Sequence, residues 1–315
     1  MSSLNPLLEA KGLRIYYSSP RGDVHAAEDV DIQVRAGEIV GLAGESGSGK
    51  STLALGMMRL VTPPGKIAGG EVDFEGTNLL EVPEQQFRKD YRWSRIAMVF
   101  QGSMNGFTPV FTVGDQIDEV MKIHGKEGGK AAVAKLLKMV DLDEVIARRY
   151  PHELSGGQKQ RAFIAMALAL SPKMLFADEP TTALDVITQA NVINLLKRLR
   201  NEMGISILLI THDLALLSEI VDTVYIMYAG RIVESGPSDE VFGGAKHPYT
   251  QGLLAATPTL RSRDIKGIPG FMPDLANPIP GCSFAARCPF VMERCRTERP
   301  ELKRVDGAEV ACWLY

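Results

Sequence analysis

The glycine-rich stretch from Gly44 to Thr52, "GESGSGKST", has the residue types that bind phosphate. It matches the pattern G-x-x-x-x-G-K-[ST], with Gly44, Gly49, Lys50 and Ser51 at the fixed positions. Glycines let backbone N–H groups converge on phosphate oxygens, while Lys50 would reach the β- and γ-phosphates and Ser51 would ligate Mg²⁺. A predicted strand precedes the run and a predicted helix follows it, which is the context in which this motif binds a nucleotide. The alternative is a glycine-rich turn that binds nothing.

Two carboxylates follow an apolar run in "MLFADEP". Asp178 would hold the Mg²⁺ shell, and Glu179 would polarise a water against the terminal phosphate. An Asp-Glu pair at a strand end is otherwise often a solvated turn. Because a phosphate loop lies upstream in the same chain, the functional interpretation is favoured.

A third stretch, "ELSGGQKQRAFIAMALAL", predicts a helix with an unusual first turn. Ser155 and Gln158 have the spacing of a capping box, which by itself indicates only a well-capped helix. Gly156 and Gly157 cost about 1 kcal/mol each relative to alanine inside a helix. They leave the backbone N–H groups of the helix N-terminus open to an anion. The pattern therefore predicts a second phosphate-binding terminus.

Four apolar runs predict buried strands of a parallel sheet, and so an α/β fold. A polar or glycine-rich segment follows each run, and ligands bind at the carboxyl ends of such strands. We therefore expect these segments to lie at one edge of the sheet. The runs and the segments after them are Ile39–Ala43 with Gly44-Glu45-Ser46, Ile96–Phe100 with Gln101, Met174–Ala177 with Asp178-Glu179, and Ile205–Ile210 with Thr211-His212-Asp213.

Other patterns predict the elements around this sheet. Alternating residues in "LLEAKGLRIYY", "VHAAEDVDIQV" and "GGEVDFEGTNL" predict an antiparallel patch, and "VYIMYAGRIVESG" predicts a hairpin that turns at Ala229-Gly230. Helical spacing is present in residues 130–140, 156–170 and 186–202. The side of the last helix predicted to be apolar comprises Ile187, Ala190, Ile193, Leu195 and Leu196.

Composition excludes some classes of function. The chain has 315 residues, of which 45% are hydrophobic and 23% are charged, and its net charge of −3 does not indicate broad electrostatic binding to nucleic acid. The longest apolar run, Ala162–Leu170, is far shorter than the ~20 residues of a membrane-spanning helix. The N-terminal stretch "MSSLNPLLEAKG" lacks the features of a secretory signal. These patterns predict a cytosolic protein.

The "LSGGQ" stretch, Leu154–Gln158, resembles the signature sequence of ABC ATPases, and "MVFQGS", "MLFADE", "TTALDV" and "LLITHD" resemble further motifs of that family. The resemblance covers about residues 7–245. It implies a P-loop NTPase (RecA-like) core with an antiparallel β subdomain and a helical subdomain at about 103–159, within an ATPase domain of residues 1–245. "MNGFTPVFTVGDQI" is similar to the start of the helical region in peptide importers, which receives the coupling helices of a membrane protein.

The family resemblance also implies a role for each site residue. Two ATPase domains pair head to tail, and each ATP lies between the phosphate loop of one domain and the signature of the other. Glu179 is then the general base, His212 contacts the γ-phosphate, and Gln101 contacts Mg²⁺ and the attacking water. Tyr17 falls where an aromatic side chain stacks on adenine, with Tyr16 beside it as the alternative.

The predicted site follows from the motifs and the resemblance together. The catalytic set is Lys50, Gln101, Glu179 and His212, the Mg²⁺ ligands are Ser51, Gln101 and Asp178, and Ala183-Leu184-Asp185 is the loop that crosses the dimer interface. The predicted nucleotide-binding residues are Tyr17, Gly44, Glu45, Ser46, Gly47, Ser48, Gly49, Lys50, Ser51, Thr52, Gln101, Ser155, Gly156, Gly157, Gln158 and Asp178.

All four cysteines of the chain lie near its C-terminus, at Cys282, Cys288, Cys295 and Cys312. Seven of the 18 prolines fall between Pro258 and Pro300, which predicts a separate, loop-rich tail from about residue 246. Disulfides are rare in the cytosol, so metal ligation is favoured over bridging. Zinc sites more often use paired C-x₂₋₄-C spacings, which are absent here, and four cysteines also suit a [4Fe–4S] cluster. Zinc and free or bridged thiols stay open as alternatives.

The tail stretches "HPYTQGLLAATP", "GIPGFMPDL", "NPIPGCSFAARCPFVMERCRTERPEL" and "ACWLY" resemble the C-terminal extension of ATPase subunits of dipeptide/oligopeptide ABC importers. That branch includes nickel and oligosaccharide importers, and its extension, residues 246–315 here, carries a [4Fe–4S] cluster in similar importers. The resemblance implies an ATP-hydrolysing importer subunit at the cytoplasmic face of the membrane.

The partners implied by the resemblance are a second ATPase subunit, identical or homologous, two transmembrane permease subunits and, indirectly, an extracytoplasmic solute-binding protein. No nucleic acid is implied. The alternatives are an ABC ATPase that moves no solute, of the iron–sulfur assembly type, and one that acts on DNA or ribosomes. The transported solute is left open, because the ATPase does not contact it.

Overall fold

The computed structural model describes residues 5–103, 106–257, 267–277 and 279–315. Three predictions fall partly outside these ranges. They are the absence of a secretory signal, which concerns the first four residues, the start of the helical region in the 104–117 stretch, and the loop-rich tail between 258 and 266. In the described part of the chain, no helix is both long enough and apolar enough to cross a membrane.

The strands range from two residues in β5 to 13 in β2. Within the described ranges they are β1 (Leu8–Ser19), β2 (Gly22–Val34), β3 (Ile39–Ala43), β4 (Gly65–Phe74), β5 (Thr77–Asn78), β6 (Ile96–Val99), β7 (Met174–Asp178), β8 (Ser206–Thr211), β9 (Thr223–Tyr228), β10 (Arg231–Pro237), β11 (Lys303–Val305) and β12 (Ala308–Val310). All four predicted parallel strands are present, with ends that differ from the prediction by a residue or so.

The helices in the same ranges are α1 (Lys50–Met57), α2 (Glu84–Asp90), α3 (Val113–Ile123), α4 (Lys130–Met139), α5 (Gly156–Ala167), α6 (Val186–Met203), α7 (Leu214–Ser218), α8 (Ser238–Gly243), α9 (Pro248–Ala256) and α10 (Glu293–Thr297). Single 3₁₀ turns lie at Glu144–Arg148, Pro151–Glu153 and Ala285–Arg287. The chain folds into two compact units. The first combines the described residues of Met1–Leu80 and Leu209–Tyr315, and the second is Glu81–Leu208.

The first unit contains the predicted antiparallel patch. Its strands follow the order β2-β1-β4-β5, and β1 pairs with both neighbours, for example Leu8 with Val34 and with Phe74. Alternate side chains are buried, among them Val30 and Ile32 of β2, because successive residues of a strand point to opposite faces. The alternation that predicted this patch is thus confirmed.

A second set of strands in the same unit follows the order β11-β12-β10-β9-β3. β3 and β9 are parallel, and every residue of β3 is buried, as expected for a strand covered on both faces. The predicted hairpin is confirmed, since β9 and β10 are antiparallel and connected by Ala229 and Gly230. Both turn residues have positive φ, at 49° and 80°, which matches the strand twist of a two-residue hairpin.

The tail, which was predicted as a separate, loop-rich segment, pairs with a strand of the first unit. Its last strands form a hairpin, and β12 pairs with β10 through Glu234 opposite Val310 and Ser235 opposite Glu309. The pairing with β12 satisfies backbone groups at the edge of β10 that β9 does not reach. Ala308 and Val310 of β12 are buried. A short helix, α10, also forms between the predicted proline-rich limits. The tail therefore belongs to the same compact unit as the phosphate loop.

The second unit contains β6 and β7, which are parallel, with Val99 opposite Ala177. α6 begins at the predicted residue, and Ile193, Leu195 and Leu196 of its predicted apolar side are buried. The prediction was wrong in the first turn, where Ile187 is 75% exposed, and it omitted the buried Val192 and Leu199. The helical spacing was correct and the first turn was assigned to the wrong environment, because the Asp185 cap holds that turn at the surface. α5 ends at Ala167, three residues before the predicted Leu170.

Candidate nucleotide-binding site

The phosphate loop connects β3 to α1 in the first unit, as the motif predicts. Gly49 is the N-cap of α1 with φ 105°, and Gly44 has φ 151°, both disfavoured for residues with a Cβ. A Cβ at Gly44 would overlap the carbonyl oxygen of Met227, and one at Gly49 would overlap that of Ala26. Glycine is therefore required at both positions by backbone angle and by close approach.

Lys50 lies inside the loop, with its side chain turned toward loop oxygens. Its Nζ donates to the carbonyls of Gly44 at 2.8 Å and Glu45 at 2.9 Å, and to Ser48 Oγ at 3.4 Å. Lys50 is only 6% exposed, so its ammonium group is held at the centre of the loop. Ser46 and Gly47 are exposed at the tip. A buried ammonium group held by loop oxygens is suited to exchange these contacts for phosphate oxygens.

The second unit brings together two of the predicted catalytic residues. Gln101 follows β6 and Glu179 follows β7, and Gln101 Nε2 donates to Glu179 Oε2 at 3.0 Å. Thr182 Oγ1 donates to the same oxygen at 2.8 Å. The parallel pairing of the two strands accounts for this contact, since it places their carboxyl ends side by side.

The backbone at Glu179 is strained. Its φ is 46°, in the left-handed region that non-glycine residues rarely adopt, at a cost of about 1–2 kcal/mol. Asp178, one residue earlier, is 3% exposed and completes β7. The two adjacent carboxylates differ in exposure, since Asp178 is buried and Glu179 is partly exposed.

The signature helix α5 has the predicted cap. Ser155 Oγ accepts from the backbone N–H of Gln158 at 3.3 Å, and Gln158 Oε1 accepts from the Ser155 N–H at 2.9 Å. Ser155 and Gly156 are exposed, which leaves this helix terminus accessible to an anion. A Cβ at Gly157 would overlap the methyl group of Thr188, so this glycine is also required by the approach of α6.

The predicted dimer-interface loop leads directly into α6. Ala183 has φ 63°, and Asp185 caps the helix by accepting from the Thr188 N–H at 2.9 Å and its hydroxyl at 2.7 Å. These bonds hold the pKa of Asp185 below its usual value. Because Thr188 also contacts Gly157, the loop and the signature are linked through one side chain.

His212 and Tyr17 belong to the first unit. His212 is exposed, and the neighbouring Asp213 caps α7 by accepting from the Leu216 N–H at 3.1 Å. Tyr16 stacks on His25 with ring centroids 4.1 Å apart, whereas Tyr17 lies against Gly65. The two tyrosines thus occupy different surroundings, and the choice of Tyr17 as the adenine contact stays a prediction.

The four cysteines line one enclosed cavity of about 10 Å³ in the tail, and none forms a disulfide. Burial raises the pKa of Cys282 to about 11 and also raises those of Cys288 and Cys312. The donor set suits a thiolate-bound metal. The arrangement of these side chains does not suit a metal, because the cavity between them has room for roughly one water molecule. Among the described residues, no group of three or more His, Cys, Asp or Glu side chains is arranged to hold a metal ion.

Comparison with known proteins agrees with this set of motifs. A family model described as "ABC transporter" matches residues 27–182, and one described as "Oligopeptide/dipeptide transporter, C-terminal region" matches residues 233–295. The "Probable peptide ABC transporter ATP-binding protein y4tR" of Sinorhizobium fredii is 44% identical over 98% of this chain and 94% of its own length. The chain belongs to the ABC transporter ATPases. The oligopeptide transport ATP-binding protein AppD of Bacillus subtilis is 42% identical to this ABC ATPase, over 99% of this chain and 98% of AppD.

Solved structures agree on the fold of the ABC ATPase. A dimeric ATP-binding cassette, MJ0796, in a post-hydrolysis state with ADP and Pi, has a TM-score of 0.66 and 29% identity, covering 73% of this chain and 98% of MJ0796. The structure of cbiO1 from Clostridium perfringens has a TM-score of 0.65 and 27% identity, covering 76% of this chain and 92% of cbiO1. The ABC ATPase fold with its P-loop is therefore shown.

Sequence reasoning missed residues of the ABC ATPase tail that contact the phosphate loop. The Tyr249 hydroxyl accepts from the Glu45 N–H at 2.8 Å, and Arg287 donates to the Glu45 carboxylate. His247 caps α9 through the Tyr249 N–H at 3.0 Å, and burial lowers its pKa to about 4, so it is neutral. The only signal was the "HPY" stretch, which resembled a family pattern without indicating a contact.

Proposed function

We propose that this ABC ATPase powers the import of peptides. The observation that carries the proposal is the presence in one chain of the ABC transporter match and the oligopeptide/dipeptide C-terminal match. Relatives that match over nearly the whole chain carry peptide or oligopeptide transport in their names. A role in iron–sulfur assembly, or on DNA or ribosomes, would not require the C-terminal region of a peptide transporter.

Roles for the site residues form part of the proposal. Lys50 contacts the β- and γ-phosphates with the backbone N–H groups of the loop, and Ser51 and Asp178 ligate Mg²⁺. Glu179 takes the proton of the attacking water as general base. Gln101 orients that water and contacts Mg²⁺, and the hydrogen bond that it donates to Glu179 supports this shared role.

The remaining contacts of the nucleotide complete the proposal. His212 contacts the γ-phosphate and Tyr17 stacks on adenine. The signature residues Ser155, Gly156, Gly157 and Gln158 bind the γ-phosphate of a second ATPase subunit, through the exposed terminus of α5. The solved MJ0796 cassette is dimeric, which supports a paired arrangement. The pair would work beneath two permease subunits at the cytoplasmic face of the membrane, with an extracytoplasmic binding protein that delivers the solute.

The transport proposal has a direct test. The chain is produced together with a candidate pair of hydrophobic membrane subunits and its second ATPase, and the complex is placed in lipid discs with the matching binding protein. We expect the four subunits to co-purify and the peptide-loaded binding protein to stimulate ATP hydrolysis. Stimulation by nickel or oligosaccharide, but not by peptides, would overturn the peptide assignment. Failure of the chain to bind any membrane subunit pair would overturn the importer assignment.

We further propose that the tail, residues 246–315, binds a metal through its four cysteines, as a [4Fe–4S] cluster. What supports this is that Cys282, Cys288, Cys295 and Cys312 line one cavity without forming disulfides. Among the described residues these side chains are not arranged to hold a metal ion, so binding would require them to move. The bound metal would then stabilise a tail that has a small core of its own.

Metal analysis checks this second proposal. Protein purified without oxygen should be brown, with iron and acid-labile sulfide at about four each per chain. Changing Cys288 to Ser should remove both, whereas Ser283→Ala, which alters the same loop without removing a thiol, should retain them. A colourless protein with one zinc would contradict the cluster and support zinc. Metal-free protein with a protease-resistant tail would contradict both.

A further inference from the structure

Glu45, the second residue of the phosphate loop, is held by two residues of the tail. Arg287 donates to both carboxylate oxygens of Glu45, from Nη1 to Oε2 at 2.8 Å and from Nη2 to Oε1 at 3.0 Å. The backbone N–H of Glu45 donates to the Tyr249 hydroxyl at 2.8 Å. The side chain and the main chain of Glu45 are therefore both fixed from the tail.

This ion pair differs from an ordinary surface salt bridge. The Arg287 side chain is 5% exposed and that of Glu45 is 28% exposed, whereas both members of the Arg294–Glu298 pair in the same tail are more than half exposed. A paired, planar arrangement of this kind is among the stronger side-chain contacts in proteins. The hydrogen bonds that Arg287 donates to Glu45 raise the pKa of Arg287 above its already high usual value.

Arg287 is fixed by more than its carboxylate partner. Its Nε donates to the Pro269 carbonyl at 2.8 Å, and its Nη2 also donates to the Ile268 carbonyl at 3.2 Å. The guanidinium lies over the rings of Tyr228 and Phe284, at 5.8 and 5.9 Å from their centroids. Few rotamers satisfy all these contacts, so the position of Arg287 is set by the tail and by Tyr228 of β9 as well as by Glu45.

The segment that carries Arg287 is the seven-residue loop from Cys282 to Cys288. Between its two cysteines, Phe284 is 2% exposed and packs against Tyr228 and Tyr249, with ring centroids 5.3 and 5.4 Å away. The Ala285 N–H donates to the Cys282 carbonyl at 3.0 Å, which closes the turn before Arg287. One short loop thus packs its aromatic residue beside Tyr249 and directs its arginine to the phosphate loop.

We propose that Arg287 and Tyr249 are positioning residues for ATP binding, and that they act through Glu45 to hold the phosphate loop in its nucleotide-binding conformation. The predicted nucleotide-binding residues all precede the tail, so their local patterns do not indicate a contribution of the tail to ATP binding. The inference rests on the proposed role of this loop in binding ATP, but not on the transported solute or on the tail metal.

Ordering of the loop is the physical basis of the effect. Lys50 donates to the Glu45 carbonyl at 2.9 Å, so Glu45 connects the tail contacts to the ammonium group that would bind phosphate. Without the tail contacts, the exposed tip at Ser46 and Gly47 would have more conformations, and ATP binding would have to order them. A loop held in place before binding avoids this entropic cost.

The test measures ATP affinity in the full-length chain as purified. Arg287→Met keeps the length and apolar contacts of the side chain but removes its charge. We expect a fluorescent ATP analogue to bind about three- to tenfold more weakly, because one charged contact at the loop is lost. The KM for ATP should rise while kcat changes little, and Arg287→Lys should recover part of the affinity.

Two controls separate this role from a general loosening of the tail. Arg294→Met removes the exposed Arg294–Glu298 pair and the contact of Arg294 with Trp313, without altering Glu45. It should leave the affinity for ATP unchanged. In a double-mutant cycle, Arg287→Met should have little further effect once Glu45 is changed to Gln.

The proposal fails if Arg287→Met binds the ATP analogue as tightly as the parent chain. It also fails if Arg294→Met weakens binding as much, or if Arg287→Met has its full effect in the Glu45→Gln background. Should the variant be too unstable to purify, Tyr249→Phe tests the other tail contact of Glu45, since it removes only the hydroxyl that accepts from the Glu45 N–H. If the parent chain itself did not bind ATP, the proposed nucleotide site would be refuted instead.

Discussion

Glu179→Gln is expected to bind ATP normally and to hydrolyse it about 10²–10⁴-fold more slowly, which is the usual contribution of a general base. The amide has nearly the shape of the carboxylate, so Gln101 and Thr182 keep an acceptor for at least one of their hydrogen bonds. What is lost is the negative oxygen that takes a proton from water. Slow hydrolysis should make the ATP-bound dimer accumulate.

Phosphate release at saturating ATP measures the rate, and gel filtration with ATP measures the dimer. Glu202→Gln is a suitable control, because it neutralises an exposed carboxylate at the end of α6. Its turnover should equal that of the parent chain. If Glu179→Gln retained near-normal hydrolysis, Glu179 would not be the general base.

Ser155→Arg is expected to block hydrolysis while the chain still binds ATP at its own phosphate loop. The serine hydroxyl caps α5 at the exposed helix terminus, so its loss weakens the cap by about 1 kcal/mol. The larger effect is steric, since a long side chain would stand where the partner's γ-phosphate should bind. Loss of oriented donors at a developing charge typically lowers turnover by about 10²–10³-fold.

Ser155→Thr separates the two effects, because threonine keeps the capping oxygen and adds only a methyl group. It should retain most of the turnover, whereas the arginine variant should not. The two variants should bind a fluorescent ATP analogue equally well as monomers. Loss of this monomeric binding in Ser155→Arg would contradict the idea that the signature serves the nucleotide of the partner subunit.

Local patterns predicted most of the elements of the proposed nucleotide-binding site. The glycines of the phosphate loop, the capping box at Ser155 and the hairpin turn at Ala229 each follow from a few adjacent residues, whose backbone angles and hydrogen bonds depend on local chemistry. Gln101 and Glu179 were expected to lie at the same edge of the sheet, but the hydrogen bond between them was not predicted. It depends on the parallel pairing of two strands, which the sequence indicated through their apolar runs.

Contacts between distant parts of the chain were not predictable in the same way. Arg287 and Glu45 are 242 residues apart, and neither residue stands in a local pattern that requires the other. The pairing of β12 with β10 also lacks a local signal, because proline content indicates what a segment cannot form but not which edge it will join. The same limit applies to Ile187, whose helical spacing was clear but whose exposure depends on its surroundings.

The separation of Arg287 from Glu45 has a consequence for synthesis of the protein. A ribosome that adds about 5–20 residues per second makes the phosphate loop roughly 12–48 s before it makes Arg287. During that interval the nascent chain contains Lys50 and the glycines of the loop. The contact of Glu45 with Tyr249 can form only after residue 249 has emerged, and the contact with Arg287 only after residue 287 has emerged. The order of translation thus delays completion of this part of the molecule until most of the chain has been made.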